Sequence, residues 1–225
     1  MSSCPSGICV SVVDGLDQFR DLIARYAPDL LLVRGFRWRL PPDVLAIAKY
    51  GSVNLHPSCL PQLRGPFPVH WAIRDGDRTL GVTAHRMDEN FDTGPVLATA
   101  YFDVEPNDFG DVIWQRVDEA AERALATALD RLARGESGDV QDESKATWAG
   151  TFEQSEAAVD WTRTAEQVHN QVRAFSLGYL EPAAPIAELN GQRVQLSKTS
   201  LTAIDAPSVA CRDRPIWLAE YTALD

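Results

Sequence analysis

The chain reads as an α/β protein, with a mixed, mainly parallel sheet flanked by helices, followed by a linker helix and a small partial β appendage. Three observations carry that reading. Short β-branched runs alternate with segments whose apolar residues recur at helical spacing, the pattern of βαβ units. A polar, glycine- and serine-containing stretch over 135–150 interrupts that pattern and reads as a linker, dividing the chain into 1–150 and 151–225. Beyond it, two strand-like runs flank Asn190-Gly191, a strong hairpin signal.

Taken in order, Ile8–Val13 is apolar and β-branched and predicts a strand, with Asp14-Gly15 as the turn. Leu16, Phe19, Leu22, Ile23 and Tyr26 form a helical stripe over Leu16–Tyr26. Asp29–Arg34 has the nearly continuous apolar core of a strand covered on both faces. Ile8–Val13 is therefore expected to pair with it in parallel through a right-handed crossover, the alternative being an edge covered by a second subunit. A proline in the first turn predicts a helix over Pro42–Lys49. Strands follow at Gly51–Leu55, Gly81–Met87 and Pro95–Tyr101, with a helix over Phe67–Arg74. Asp108–Arg134 is a long alanine-rich helix closed by Gly135. Ala165–Phe175 is the linker helix, Pro185–Leu189 and Gln192–Leu196 form the hairpin, and Pro215–Thr222 is a last strand.

Composition narrows the function classes. A 225-residue chain with 45% hydrophobic and 24% charged residues has the balance of a folded protein and excludes a disordered one. No apolar run approaches the length of a membrane span, and the N-terminus lacks a basic leader, so a cytoplasmic protein is expected. Cys4, Cys9, Cys59 and Cys211 are scattered, which argues for reduced thiols and against a metal site. The net charge of −11 disfavours a nucleic-acid partner.

Chemically usable groups concentrate between residues 51 and 98. Asn54 and His56 lie two apart at a strand end, so both side chains leave on the same side. Pro57 biases His56 toward extended backbone and ends the strand. Asp92 follows in the loop Asp88–Gly94, within Asp92-Thr93-Gly94. An amide binds a developing oxyanion, an imidazole moves a proton near neutral pH, and a carboxylate orients the imidazole. Acyl transfer from a poor leaving group needs all three. Each also has a plainer reading: His beside Pro is often structural, Asn54 can cap a turn, and Asp-Thr-Gly is a good turn by itself. Arg34, Arg37 and Arg39, three arginines within six positions with Phe36 and Trp38 between them, suit a flat anionic ligand or equally a solvated cluster over core aromatics. Gly65 allows close backbone approach to a ligand or simply a turn. His70 and His85 read as structural.

Asn54-Leu-His56-Pro-Ser58, Leu60-Pro61, Arg64-Gly65-Pro66, Trp71-Ala-Ile73, Gly81-Val-Thr83, Met87-Asp88 and Asp92-Thr-Gly94-Pro95, in that order, resemble the folate-dependent formyltransferase family. Val159-Asp-Trp161 and the His169-Asn170 and Val172-Arg-Ala174 helix resemble it too, whereas Gly178-Tyr-Leu-Glu-Pro182 departs from its usual turn.

The resemblance implies a shortened Rossmann-like catalytic domain over 1–150, lacking the family's opening strand, turn and helix. It implies a linker helix and partial β region over 151–225. It implies Asn54, His56 and Asp92 as catalytic residues, with His56 protonated, and 10-formyltetrahydrofolate as formyl donor with no metal. Phe36, Trp38 and Leu40 on one loop, and Glu89, Asn90 and Phe91 on the other, become the donor's neighbours. Ser58, Arg64 and Gly65 become substrate contacts, while His169 and Asn170 tie the two parts together. The expected acceptor is a small amine such as an amino sugar, and homo-oligomers are possible. The alternatives are a methionyl-tRNA acceptor, hydrolysis of the donor, or a non-catalytic relative that binds folate or a partner.

Overall fold

The computed structural model describes residues 9–36 and 38–224. Helix α1 (Leu16–Tyr26) buries Ile23 and half-buries Leu16 and Phe19 against β1 and its neighbours, leaves Tyr26 exposed, and stops where Ala27 turns left-handed, its N–H closing on the Ile23 carbonyl at 2.9 Å. Strand β1 (Leu31–Val33) and helix α2 (Pro42–Leu45) follow, and the chain reaches strand β2 (Ser52–His56). Ile23, Leu31, Val33, Leu40, Val44 and Ala48 make a small core on this side. Helix α3 (Pro68–Asp75) opens on proline and ends at Gly76, whose φ of 88° few other residues adopt. Strands β3 (Thr79–Arg86) and β4 (Val96–Asp103) and the long helix α4 (Gly110–Ala133) complete the unit. Its main core joins Val53 and Leu55 of β2, Val82 of β3 and Leu97 of β4 to Ile113, Val117, Ala120 and Ala124 along α4.

The sheet order is β1-β2-β3-β4. Its parallel character resides in the β1–β2 pair, whereas β2–β3 and β3–β4 are antiparallel. The connections explain this. The crossover from β1 to β2 carries α2 and returns the chain in the same direction, the connection through α3 brings β3 back reversed beside β2, and β3 and β4, joined by one loop, must reverse.

The segment predicted as a first strand does not form one. Ile8 lies outside the described residues, residues 9–13 are irregular, and β1 pairs only with β2. Val10 and Val12 are exposed, so no partner rewards an extended ladder here despite the β-branched composition. Residues 135–150, predicted as a linker, are laced across the sheet end instead. Asp139 bridges to Val96 and Trp148 to Arg64.

Helix α5 (Ala165–Phe175) opens on a capping box between Thr164 and Gln167 and packs against α3. It supports a second four-stranded sheet in the order β5-β6-β8-β7, comprising β5 (Ile186–Leu189), β6 (Gln192–Ser200), β7 (Ser208–Ala210) and β8 (Pro215–Ala223). The predicted hairpin is present, with Asn190 and Gly191 at positive φ in its turn. The short β7 was not predicted. Among the described residues no helix is long and apolar enough to cross a membrane.

Candidate active site

The C-terminal end of β2 presents Asn54 and His56 beside the loop between β3 and β4. That loop turns on two unusual residues. Asp92 sits at φ 59°, in the left-handed region, and any Cβ at Gly94 would fall 1.9 Å from the Arg86 carbonyl oxygen. Gly94 therefore lets the loop fold back against β3, and that fold aims Asp92 at β2. Asn54 Nδ2 lies 3.3 Å from Asp92 Oδ1, and His56 Nδ1 lies 3.4 Å from the same oxygen. The other carboxylate oxygen accepts from the Gly65 N–H at 2.9 Å. The three predicted catalytic side chains thus converge.

His56 is buried, and its Nε2 lies 2.8 Å from the Leu63 carbonyl oxygen. A carbonyl only accepts, so Nε2 carries the proton in the neutral ring. Nδ1 then offers its lone pair toward Asp92, and a proton placed there bridges the two groups. Burial pushes the His56 pKa below its ordinary value, against the opposing pull of the Asp92 carboxylate and the Leu63 carbonyl. Burial thus favours the neutral imidazole at rest, and a proton on Nδ1 has to arrive in the course of a reaction. Burial alone would raise Asp92. The His85 and His56 rings, when a proton stands on the nitrogen that faces it, and the Gly65 N–H outweigh burial and hold the carboxyl below its usual value.

His85, read from sequence as purely structural, belongs to this cluster. It stands directly across from Asn54 in the β2–β3 register. Its Nδ1 donates to the Arg86 carbonyl at 2.8 Å, leaving Nε2 to accept from Asn54 Nδ2 at 3.2 Å and to lie 3.6 Å from Asp92 Oδ1. The Asn54 amide is thus held by two long bonds, a geometry open to exchange for a stronger acceptor. His70, by contrast, is structural as expected, bonded to the Gly178 carbonyl at 2.9 Å.

A cavity of about 530 Å³ opens on the cluster. Phe36, Phe91, Trp114 and Trp148 line it together with Arg34, Asn54, His56, Gly65 and Asp92. Its size and aromatic walls suit a ligand with flat rings. Trp38, Leu40 and Asn90 line an adjoining cleft of only about 40 Å³, which shares Phe36, Asn54, Phe91 and Asp92 with the cavity. The space between the two predicted donor loops is too small for a folate on its own. Glu89 lines neither space. Its carbonyl accepts from Arg39, which straps one loop to the other.

Two expected substrate contacts are turned away. Ser58 is buried and donates to the Gln62 carbonyl at 2.7 Å, while its own carbonyl accepts from Thr83. Arg64 is buried against Gln141 and Glu143, bonding both carboxylate oxygens of Glu143 at 2.7 and 2.8 Å. Both satisfy protein groups in the turn-rich loop, which leaves neither free for a ligand. Gly65 faces the cavity, and a Cβ there would meet Ala149 O at 2.8 Å and the Trp148 ring at 3.0 Å. Of the arginines singled out around Phe36, Arg34 lines the cavity, whereas sequence reasoning missed Trp114 and Trp148 as its walls. Tryptophans in an acidic chain were a weak signal, because their exposure is set by tertiary packing.

Comparison with known proteins places this architecture. The family model described as formyl transferase matches residues 13–129, and the formyl transferase C-terminal domain model matches 152–223. The chain is 35% identical over 182 residues to a methionyl-tRNA formyltransferase from Synechococcus sp. (strain JA-3-3Ab), covering 80% of this chain and 55% of that protein. It is 39% identical over 155 residues to the enzyme of that name from Pseudomonas syringae pv. syringae, covering 68% of this chain and 49% of the relative. The chain thus spans about half the length of the curated relatives it matches. Among solved structures, HypX from Aquifex aeolicus in complex with tetrahydrofolic acid has the same fold, with a TM-score of 0.73 at 23% identity over 93% of this chain and 38% of the other. Methionyl-tRNA formyltransferase from Clostridium thermocellum aligns with a TM-score of 0.70 at 14% identity, over 95% and 86% of the two chains. Two family models matched in sequence order, relatives above 30% identity and a shared fold agree that this chain belongs to the folate-dependent formyltransferase family.

Proposed function

We propose that this chain moves a formyl group from 10-formyltetrahydrofolate to an amine, with Asn54, His56 and Asp92 as its catalytic residues. The convergence of an amide, an imidazole and a carboxylate on one cavity carries the reading. The donor supplies a formyl carbon on a nitrogen leaving group. Phe36, Phe91, Trp114 and Trp148 would hold its rings, with Trp38, Leu40 and Asn90 at the edge of the adjoining cleft. As the acceptor nitrogen bonds to that carbon, Asn54 Nδ2 releases one of its long bonds and donates to the formyl oxygen, which is gaining charge. The proton shed by the attacking nitrogen moves onto the His56–Asp92 pair, whose Nδ1 and Oδ1 are spaced to share it. The pair returns it to the folate nitrogen as the old C–N bond breaks. Burial favours the neutral imidazole, so His56 starts able to take that proton. This reading includes a cytoplasmic protein and a division into a catalytic part over 1–150 and an appendage over 151–225.

The names of the relatives weigh against the expectation of a small acceptor and favour the amino group of a methionyl-tRNA. A second reading is kept by one observation, the net charge of −11, which opposes a polyanionic partner. Its acceptor is a small amine, of the kind named for an N-formyltransferase of shared fold in complex with folinic acid and dTDP-3-aminofucose. Incubating the protein with 10-formyltetrahydrofolate and charged initiator tRNA, nucleotide-linked amino sugars or simple amines separates the outcomes. Formyl-methionyl-tRNA supports the first reading and a formylated small amine the second. Formate alone indicates hydrolysis, and no turnover with bound folate indicates a non-catalytic relative.

A further inference from the structure

Asp92 owes its position to a loop, and loops do not hold a side chain in place unaided. Gln141 is buried in the segment that follows α4. Its Nε2 donates to the carbonyls of Asp92, the left-handed residue, and of Gly94 two residues on, each at 2.8 Å. Its Oε1 accepts from Arg64 Nη2 at 2.7 Å and from Nε at 3.3 Å. Only one amide orientation satisfies this set. Reversed, the oxygen would face two carbonyl oxygens and the NH₂ would face a guanidinium. Arg64 is itself fixed by Glu143. The residue after Arg64, Gly65, gives its N–H to Asp92 Oδ2 at 2.9 Å. One assembly therefore grips Asp92 by its backbone through Gln141 and by its side chain through Gly65.

We propose that Gln141 is a positioning residue for the reaction, holding the Asp92 turn in register with His56, and that Arg64 serves by fixing the orientation of the Gln141 amide. Neither residue touches substrate. The function of the Arg64-Gly65 pair is then to build the carboxylate's seat, and the segment over 135–150 is part of the active site. The inference rests on the proposed formyl-transfer chemistry for its kinetic consequence but not for its structural one.

The test reads His56 directly, by an NMR titration of the imidazole that needs neither donor nor acceptor. In Gln141→Met the Asp92 carboxylate, which draws the His56 midpoint upward, is no longer held at 3.4 Å. The midpoint should fall, on the order of half a pH unit, toward the value in Asp92→Asn. Adding Gln141→Met to Asp92→Asn should move it no further. His85 also faces Asp92, and its own titration in the same spectra shows whether it responds in step. Should Gln141→Met not fold, Gln141→Asn, which keeps the amide but withdraws it by one methylene, is read in the same way. An unchanged His56 midpoint in a folded variant overturns the proposal, as does an equal fall in the Asp92→Asn background. With a turned-over acceptor, kcat should drop by roughly 10–10²-fold with little change in KM. If formyl transfer is not the reaction, that rate effect is lost while the titration result stands.

Discussion

Two buried histidines sit in the two halves of this molecule and are held in opposite ways. His169, on α5, accepts from the Thr199 hydroxyl and donates to the Pro106 carbonyl, both at 2.8 Å. Its neighbours Gln171 and Arg173 likewise spend their N–H groups on carbonyls of adjoining segments, at 2.7 to 3.0 Å. His56, on β2, has one short bond to a carbonyl and one loose approach to Asp92 at 3.4 Å, with the cavity beside it. Burial depresses both, His169 to about 4. Depth therefore does not separate architecture from chemistry. What separates them is whether both ring nitrogens are filled by short bonds, as they are in His169 even though Gln171 Oε1 on the same helix is buried without a partner. The short, filled bonds of α5 lock one part of the chain to another. The long bonds around Asn54 and Asp92 leave capacity that a reacting group can take up.

The widest contrast comes from removing one member of each set. Asn54→Ala should lower kcat by on the order of 10²–10³ while leaving the thermal midpoint nearly unchanged, as steady-state kinetics and calorimetry on the same preparation would show. Equal losses of rate and stability would break the comparison. The mirror experiment is His169→Ala, which orphans the Thr199 hydroxyl and the Pro106 carbonyl in a buried site. It should cost about 2–4 kcal/mol of stability in denaturant titrations, with activity per folded molecule retained.

A pH series sharpens the same contrast. The folded protein keeps His169 neutral down to about pH 4, whereas the unfolded chain takes up a proton near the ordinary value of 6.5. The unfolded state therefore binds more protons in between, so this contribution is complete above pH 6.5 and is lost as pH falls to about 4. His169 alone should account for on the order of 3 kcal/mol of that acid loss, and His56 adds to it with the same sign. In His169→Gln, unfolding free energies measured from pH 7 to 4 should show a visibly shallower slope. The smallest effect is expected at the loop strap. Arg39→Ala frees the Glu89 carbonyl and should raise the KM for the folate donor by a few-fold, about 0.5–1.5 kcal/mol, without altering kcat. A large fall in kcat would place Arg39 nearer the chemistry than the structure does.

Local patterns carried much of the fold. The boundaries of α1 and α5 follow from apolar spacing, and those of the β5–β6 hairpin from Asn190-Gly191, because each signal lies within one element. Asn54, His56 and Asp92 were legible through order and spacing along the chain. His85 was not, since its role depends on lying opposite Asn54, and cross-strand register is a tertiary fact. Arg64 misled for a related reason. A guanidinium beside a glycine suits a ligand or a buried partner equally, and Glu143 and Gln141 lie more than 75 residues further along the chain. Ile8–Val13 shows the limit of β propensity, because residues 9–13 have the composition of a strand and no ladder to join.

Strand β1 lies at the rim of its sheet, three residues long, with Leu32 outward and Asn54, His56, His85 and Asp92 on the strands and loop inboard of it. The order of the sheet therefore grades its tolerance for change. Alterations at the rim meet Arg34 and Phe36, on the cavity's outer wall, before they meet Asn54. Alterations on β2 or β3 meet the reacting groups at once. Such a gradient lets changes at the rim retune what enters the cavity while the Asn54–His56–Asp92 cluster stays as it is. It makes the rim the natural place to graft new specificity onto this scaffold.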